Sequence, residues 1–186
     1  MSGPIPADAA RRIRLVVLDV DGVLTDGGLY VGTADDGSSI ELKRYDIQDQ
    51  LGVKMLLWSG LAVALVSGRP SAATRLRADE LGVPYHQAPG GFKVPEVEKL
   101  RDGLAAQWNE IACVCDDLAD LPVMQRAGLA VAVSNAATEV RAAAHWITTR
   151  AGGHGAVREF AEALLRARGE WNRMVERYVL ERDGSP

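Results

Sequence analysis

Asp19 and Asp21 stand two residues apart just past an apolar run, Ile13–Leu18. On an extended segment that spacing lets both side chains point the same way. One carboxylate so placed can attack a phosphorus, while the other gives a proton to the leaving oxygen and then activates water. Gly22 permits the sharp turn that follows. A second acidic set, Asp116, Asp117 and Asp120, follows another apolar run. Carboxylates gathered in this way repel one another unless a hard cation sits among them, and Mg2+ suits all-oxygen ligands. Between the two sets, Ser67-Gly68-Arg69 offers a hydroxyl and a bare backbone for a phosphate. Lys93 offers a cation that neutralises charge beside a nucleophile. Each piece has a plainer reading. Asp19 and Asp21 could be a solvated strand-end turn, Asp117 a helix N-cap, Ser67-Gly68 a turn and Lys93 a surface cation. The plainer readings leave the order unexplained: D-x-D, S, K and DD-x-x-D, each just past a predicted strand.

Ile13–Leu18 is a β-branched apolar run of the kind found in interior parallel strands. Further strands are predicted at Ala62–Val66, Val83–His86, Ile111–Cys115, Leu129–Val133 and Trp146–Thr148. They alternate with helices beginning near Asp49 and at Ser71–Leu81, Val94–Trp108, Leu118–Ala127 and Thr138–Ala144, and two more helices follow at Gly155–Arg168 and Glu170–Leu180. Ser71 reads as an N-cap and Gly82 as a stop. This alternation implies right-handed βαβ units and a doubly wound, Rossmann-like parallel sheet of the α/β class. Ligands bind such sheets at the carboxyl ends of the strands, which is where every residue named above falls. Residues 26–46, rich in glycine with the turn-like ADDGSS at their centre, read as a β-hairpin flap. Residues 1–12 read as a loose lead and 169–186 as a helical tail, with one domain over 1–186.

The 186 residues are 47% hydrophobic and 25% charged, a globular composition that excludes wholesale disorder. Lys and Arg number 21 against 25 Asp and Glu, giving a net charge of −4 that argues against a nucleic-acid or anionic-membrane surface. No apolar run reaches the roughly 18 residues needed to span a bilayer, and residues 1–12 lack the apolar centre of a secretory leader. Cys113 and Cys115 are too close along the chain for a comfortable disulfide, so buried strand thiols in a cytoplasmic protein are expected.

Taken as segments, DVDGVLTDG (19–27), ELKRYDIQDQLGVKML (41–56), VSGRP (66–70), DDLADLPVM (116–124) and GGHGAVREF (152–160) resemble the haloacid dehalogenase superfamily of Mg2+-dependent phosphotransferases. Within it they resemble the 3-deoxy-manno-octulosonate 8-phosphate phosphatase family, over roughly residues 13–168. The resemblance implies a phosphomonoesterase that acts on a small sugar-acid phosphate through an aspartyl-phosphate. It implies Asp19 as nucleophile and Asp21 as general acid and base. It also implies Mg2+ held by Asp19, Asp116 and the Asp21 backbone carbonyl, with Asp117 and Asp120 as supporting acids. Ser67, Gly68 and Arg69 would bind phosphate or substrate, and Lys93 would be the catalytic lysine. The intervals between motifs hold no room for a cap domain, and relatives of this capless type imply a homotetramer whose hairpins or C-terminal segments close a neighbour's site. The loop Gly152-Gly153-His154-Gly155 is a candidate for such a contact between chains.

The chain departs from the family pattern at several positions: Cys115 in place of glycine, Ala119 of asparagine, Phe92 of aspartate, Gln50 of glycine and His154 of arginine or glutamine. These leave open a related nonulosonate 9-phosphate phosphatase and a phosphate-binding relative without turnover. A receiver domain also clusters aspartates and a lysine on a parallel sheet, but it fits the order of these motifs poorly. His86 and His145 read as structural or surface groups. Trp171, Met174, Val175, Tyr178 and Val179 form one helical face that suits either the chain's own core or a subunit contact.

Overall fold

In a computed structural model, residues 3–183 are described. The outermost residues of the expected domain and tail, 1–2 and 184–186, lie outside the described residues. Six parallel strands form the central sheet: β1 (Leu15–Leu18), β4 (Ala62–Ser67), β5 (Tyr85–Gln87), β6 (Ile111–Cys115), β7 (Leu129–Ala132) and β8 (Trp146–Ile147). Their order across the sheet is β5-β4-β1-β6-β7-β8. Strands β1, β6 and β7 are buried at every position, as continuous apolar runs should be when both faces are covered. The chain moves outward from β1 through β4 to β5, then returns to β6 on the other side of β1. That reversal opens a crevice at the carboxyl ends of β1 and β6, where Asp19 and Asp116 emerge.

Helices α2 (Ile47–Trp58), α3 (Ala72–Leu81), α4 (Lys93–Gly103), α5 (Leu121–Met124), α6 (Thr138–Ala143), α7 (Ala156–Arg168) and α8 (Trp171–Arg182) alternate with or follow the strands. Right-handed crossovers that run in opposite directions from β1 put α2 and α3 on one face and α4–α6 on the other. Helix α7 packs on the first face against α2 and α8. The expected cap at Ser71 is present, and α2 carries a further one. The Ser71 side chain accepts from Thr74 N at 3.1 Å, and Asp46 caps α2 through Gln48 N at 2.8 Å.

Four predicted segments differ. Residues 3–12 are no loose lead: Ala7–Arg12 form α1, with Ile5 and Ala10 buried in the core and the Ala10 carbonyl accepting from Arg168 at 2.9 Å. Helix α4 stops at Gly103 rather than Trp108, because Ala105 takes a positive φ of 46° and Arg14 binds the carbonyls of Leu104 and Ala105. The helix expected over Leu118–Ala127 divides into a 3-10 turn, Leu118–Asp120, and the single turn of α5. Pro122 has no N–H to carry a continuous ladder through that junction. Strand β5 begins at Tyr85, after Pro84, and not at Val83.

The flap is a two-stranded antiparallel hairpin, β2 (Tyr30–Thr33) and β3 (Ser39–Leu42), separate from the main sheet. The intervals from β1 to β4 and from β4 to α4 hold only this hairpin, α2, α3, β5 and two short turns, so no cap domain is inserted there.

Candidate active site

All nine residues singled out by spacing line one cleft of about 290 Å³: Asp19, Asp21, Ser67, Gly68, Arg69, Lys93, Asp116, Asp117 and Asp120. Asp19 leaves β1 with its N–H donating to the Val114 carbonyl at 3.1 Å, which ties the start of the loop to β6. Gly22 turns the chain with φ +89°, and a Cβ there would fall 2.0 Å from Asp116 Oδ2. No other residue type allows the two acidic loops to come together at this point.

Lys93, the first residue of α4, is buried and holds the acids in place. Its Nζ lies 2.7 Å from Asp19 Oδ1 and 2.6 Å from Asp120 Oδ1. Burial works against the ammonium, but the Asp19 and Asp120 carboxylates outweigh it and hold Lys93 above the ordinary lysine range. Asp19 is pushed up to about 6, chiefly by burial and then by Asp120, with Lys93 opposing both. It is therefore a carboxylate at neutral pH. Asp116 is pushed further, to about 8, by burial and by its neighbours Asp19 and Asp120.

Asp120 is 2% exposed and fully engaged. Its second oxygen accepts from the N–H groups of Asp116 and Asp117 at 3.3 and 3.4 Å, while Asp117 Oδ1 caps Leu118 N at 2.8 Å. The plain capping reading of Asp117 is therefore correct and coexists with its place in the cleft.

One carboxylate oxygen each from Asp19, Asp116 and Asp120 lies within 4.8 Å of the other two. With the Asp116 proton displaced by a bound cation, three carboxylates against one ammonium leave two negative charges, which one divalent cation would balance. Asp116 Oδ1 is buried with no hydrogen-bond partner. A buried carboxylate oxygen left in that state costs free energy that a hard cation would recover, so the donor set fits Mg2+. The Asp21 carboxyl does not join this set. It faces the flap, so any part it takes in cation binding falls to its backbone carbonyl.

Opposite the acids, Ser67 closes β4 with its Oγ 3.4 Å from Asp21 Oδ2 and accepting from Arg69 N at 3.2 Å. A Cβ on Gly68 would lie 3.3 Å from Gly91 Cα, so the two glycine turns keep the cleft wall bare. The Arg69 guanidinium sits at the rim, 2.9 Å from Glu41.

Sequence reasoning passed over Glu41 and Lys43. Both come from the flap's second strand and its exit, two residues apart, and both bind residues that line the cleft. Glu41 binds Arg69 and the Ser71 hydroxyl, and Lys43 Nζ lies 2.6 Å from Asp21 Oδ1. Their alternation with Leu42 is the available signal, but charged residues on a hairpin usually mark the wet face.

The loop at 152–155 is engaged within its own chain. Gly153 N donates to Val23 O at 2.9 Å, Gly152 N donates to Asn135 Oδ1 at 2.9 Å, and Arg44 donates to Gly153 O at 2.7 Å. Only His154 of this loop is exposed. Cys113 and Cys115 are free, buried thiols, so the strand tolerates Cys115 in its core. His145 is structural, its Nδ1 accepting from Ala130 N at 2.9 Å. The α8 face divides: Trp171 and Met174 are buried, while Val175 and Val179 remain exposed.

A parallel sheet with an aspartate pair at its central strand, a lysine at a helix start and a second acid cluster one strand over defines a haloacid dehalogenase-like hydrolase. A family model of that description matches residues 88–160. The chain is 39% identical over 171 residues to the 3-deoxy-D-manno-octulosonate 8-phosphate phosphatase KdsC of Escherichia coli K12, covering 90% of this chain and 89% of that protein. The structure of the corresponding phosphatase from Moraxella catarrhalis, in complex with magnesium, phosphate and 3-deoxy-D-manno-octulosonate (KDO), superposes with a TM-score of 0.85 at 34% identity, over 92% of this chain and 97% of that one. A cobalt-bound form from Haemophilus influenzae gives 0.79 at 33% identity, over 88% and 93%. The chain belongs to the 3-deoxy-D-manno-octulosonate 8-phosphate phosphatase family.

Proposed function

We propose that this chain is a Mg2+-dependent phosphomonoesterase that hydrolyses KDO 8-phosphate, or a sugar-acid phosphate of that kind, through an aspartyl-phosphate on Asp19. The observation that carries this reading is the pairing of Asp19 Oδ1 with Lys93 Nζ at 2.7 Å. It pins one oxygen of a buried carboxylate and leaves Oδ2 as the attacking atom. The names and bound ligands of the relatives supply the substrate class.

In the first half-reaction Asp19 Oδ2 attacks phosphorus while the Ser67 hydroxyl and the bare Gly68 backbone hold phosphoryl oxygens. As the P–O ester bond breaks, Asp21 gives its proton to the departing sugar oxygen. In the second, Asp21, now a carboxylate, takes a proton from the water that attacks the acyl-phosphate, which restores Asp19 and releases phosphate. Asp19, Asp116 and the Asp21 backbone carbonyl would hold Mg2+, which when bound shields Asp19 from the negative phosphoryl oxygens. Asp117 and Asp120 support this set, Asp120 by fixing Lys93 and the Asp116 backbone.

We read the chain as one domain, cytoplasmic and homotetrameric. Exposed apolar residues on the flap, Tyr30 at 64%, Val31 at 71% and Leu42 at 61%, support association, and the free buried thiols suit a reducing compartment. The test is phosphate release by purified protein with Mg2+ from KDO 8-phosphate and from a nonulosonate 9-phosphate, with light scattering for the subunit count. Asp19→Asn is expected to abolish turnover. Full activity in that variant sinks the nucleophile assignment, and tight phosphate binding without turnover by the unaltered chain sinks the enzyme reading.

A further inference from the structure

The geometry points to Lys43 as a positioning residue that aims the proton-donating carboxyl of Asp21 at the leaving oxygen. The inference rests on the acid role proposed above for Asp21. Asp21 sits on an irregular turn, and its side chain is 37% exposed, so nothing in its own segment fixes the carboxyl. Two contacts do. Lys43 Nζ binds Oδ1 at 2.6 Å, and Ser67 Oγ lies 3.4 Å from Oδ2. With Oδ1 held toward the flap, Oδ2 is the oxygen left beside Ser67 and the cleft. It is therefore the atom that carries the proton out to the sugar oxygen and later accepts one from water.

Lys43 is suited to this work. Its side chain is 1% exposed even though the flap it follows is largely exposed. Its ammonium also donates to Thr74 Oγ1 at 3.2 Å, and the Tyr45 hydroxyl lies 3.3 Å from the same oxygen. Thr74 is buried in α3, so the lysine is braced by the helix that follows the phosphate loop. Glu41, two residues earlier, ties the same strand to Ser71 and Arg69. The flap is thus joined to the site at two points, and one of them is the acid itself. Lys43 does not line the cleft, so it acts through Asp21 and not on substrate.

The experiment compares two esters. An alkyl phosphate such as a sugar phosphate needs a proton on its departing oxygen, whereas p-nitrophenyl phosphate departs without one. Lys43→Met is expected to lower kcat/KM about 30- to 100-fold on the alkyl ester and at most about threefold on the aryl ester, the range that misplacing a general acid by about an ångström produces. Lys43→Arg should recover part of the difference. In an Asp21→Asn background, Lys43→Met should add no more than about twofold. Equal losses on both esters, or full additivity with Asp21→Asn, overturn the inference. Should Lys43→Met fail to fold, Lys43→Gln is read by the same ratio. If Asp21→Asn itself spares the alkyl ester, the acid role falls instead. If Asp21→Asn shows the ester dependence and no Lys43 variant does, only the role of Lys43 falls.

Discussion

Gly152 packs directly on the carbonyl of Gly22: a Cβ on Gly152 would lie 1.7 Å from that oxygen. The glycine loop near the end of the chain is thereby a buttress for the turn that follows the aspartate pair.

Gly152→Ala therefore forces backbone apart at the site. The expected cost is on the order of 2–4 kcal/mol in denaturant unfolding, together with loss of most phosphatase activity at temperatures where the variant remains folded. Gly103→Ala is the control, since nothing lies within 4 Å of its Cβ position. That change should be neutral or stabilising by up to about 1 kcal/mol. Equal behaviour of the two variants would refute the buttress.

Asp116 should give opposite signs with and without cation. In metal-free protein its carboxyl is buried beside Asp19 and Asp120 with one oxygen unpartnered. Asp116→Asn removes that repulsion and should raise the metal-free melting temperature. The unaltered chain should gain about 2.7 kcal/mol when Mg2+ is present at roughly 100 times its Kd, and Asp116→Asn should gain little. Thermal unfolding with and without Mg2+ reads both. A Mg2+ response that survives in Asp116→Asn removes this residue from the cation site.

Lys93→Met leaves Asp19 and Asp120 buried without their shared ammonium. Breaking a buried ion pair from one side typically costs about 3–5 kcal/mol. The loss here should fall toward the low end, because the two carboxyls can share a proton in its place. Urea unfolding should show the loss, and it should shrink as pH falls toward 6 and Asp19, no longer held down by the ammonium, takes up a proton. A loss of the same size at pH 4.5 and pH 8 would mean that packing of the lysine stem, and not charge, is what Lys93 contributes.

The convergence of nine residues on one cleft was legible because sheet topology alone sends the end of every parallel strand to the same edge. Asp19, Ser67 and Asp116 each follow a run that is apolar throughout, the pattern of a strand buried on both faces. Lys43 and Glu41 were not legible. They belong to a hairpin whose alternation marks two faces without saying which one meets the site, and that depends on how the flap folds over Asp21 and Ser71. The short N-terminal helix was missed for a related reason. Ile5 and Ala10 form no periodic stripe, and their burial depends on α7, roughly 150 residues further along the chain. The break before α5 was readable from Pro122, but the run of apolar residues around it outweighed the proline.

Asp49 yields a prediction away from the cleft. It lies in the first turn of α2, 1% exposed, and its Oδ1 accepts from Arg158 N in the first turn of α7 at 2.7 Å. Oδ2 has no partner. Burial, with help from Asp46, pushes Asp49 from 3.8 up to about 6, against the pull of the Arg158 N–H, Arg77 and Arg150. Between those two values the folded chain holds a proton that the unfolded chain has released. Stability from this group is therefore greatest below about pH 4 and falls as pH rises to about 6, above which the cost stays constant. Asparagine keeps the acceptor for Arg158 N and the shape of the side chain, and it cannot ionise. Asp49→Asn should stabilise the protein by roughly 1–3 kcal/mol at pH 8. At pH 4 the gain should vanish, because the unaltered carboxyl is then neutral and leaves one polar atom unpartnered as the amide does. Urea unfolding of both chains at the two pH values isolates the difference from every other titrating group. A loss at pH 8 would show that the ionised carboxylate is worth more to the α2–α7 contact than its burial costs, and a gain independent of pH would show that its ionisation is not what destabilises the fold.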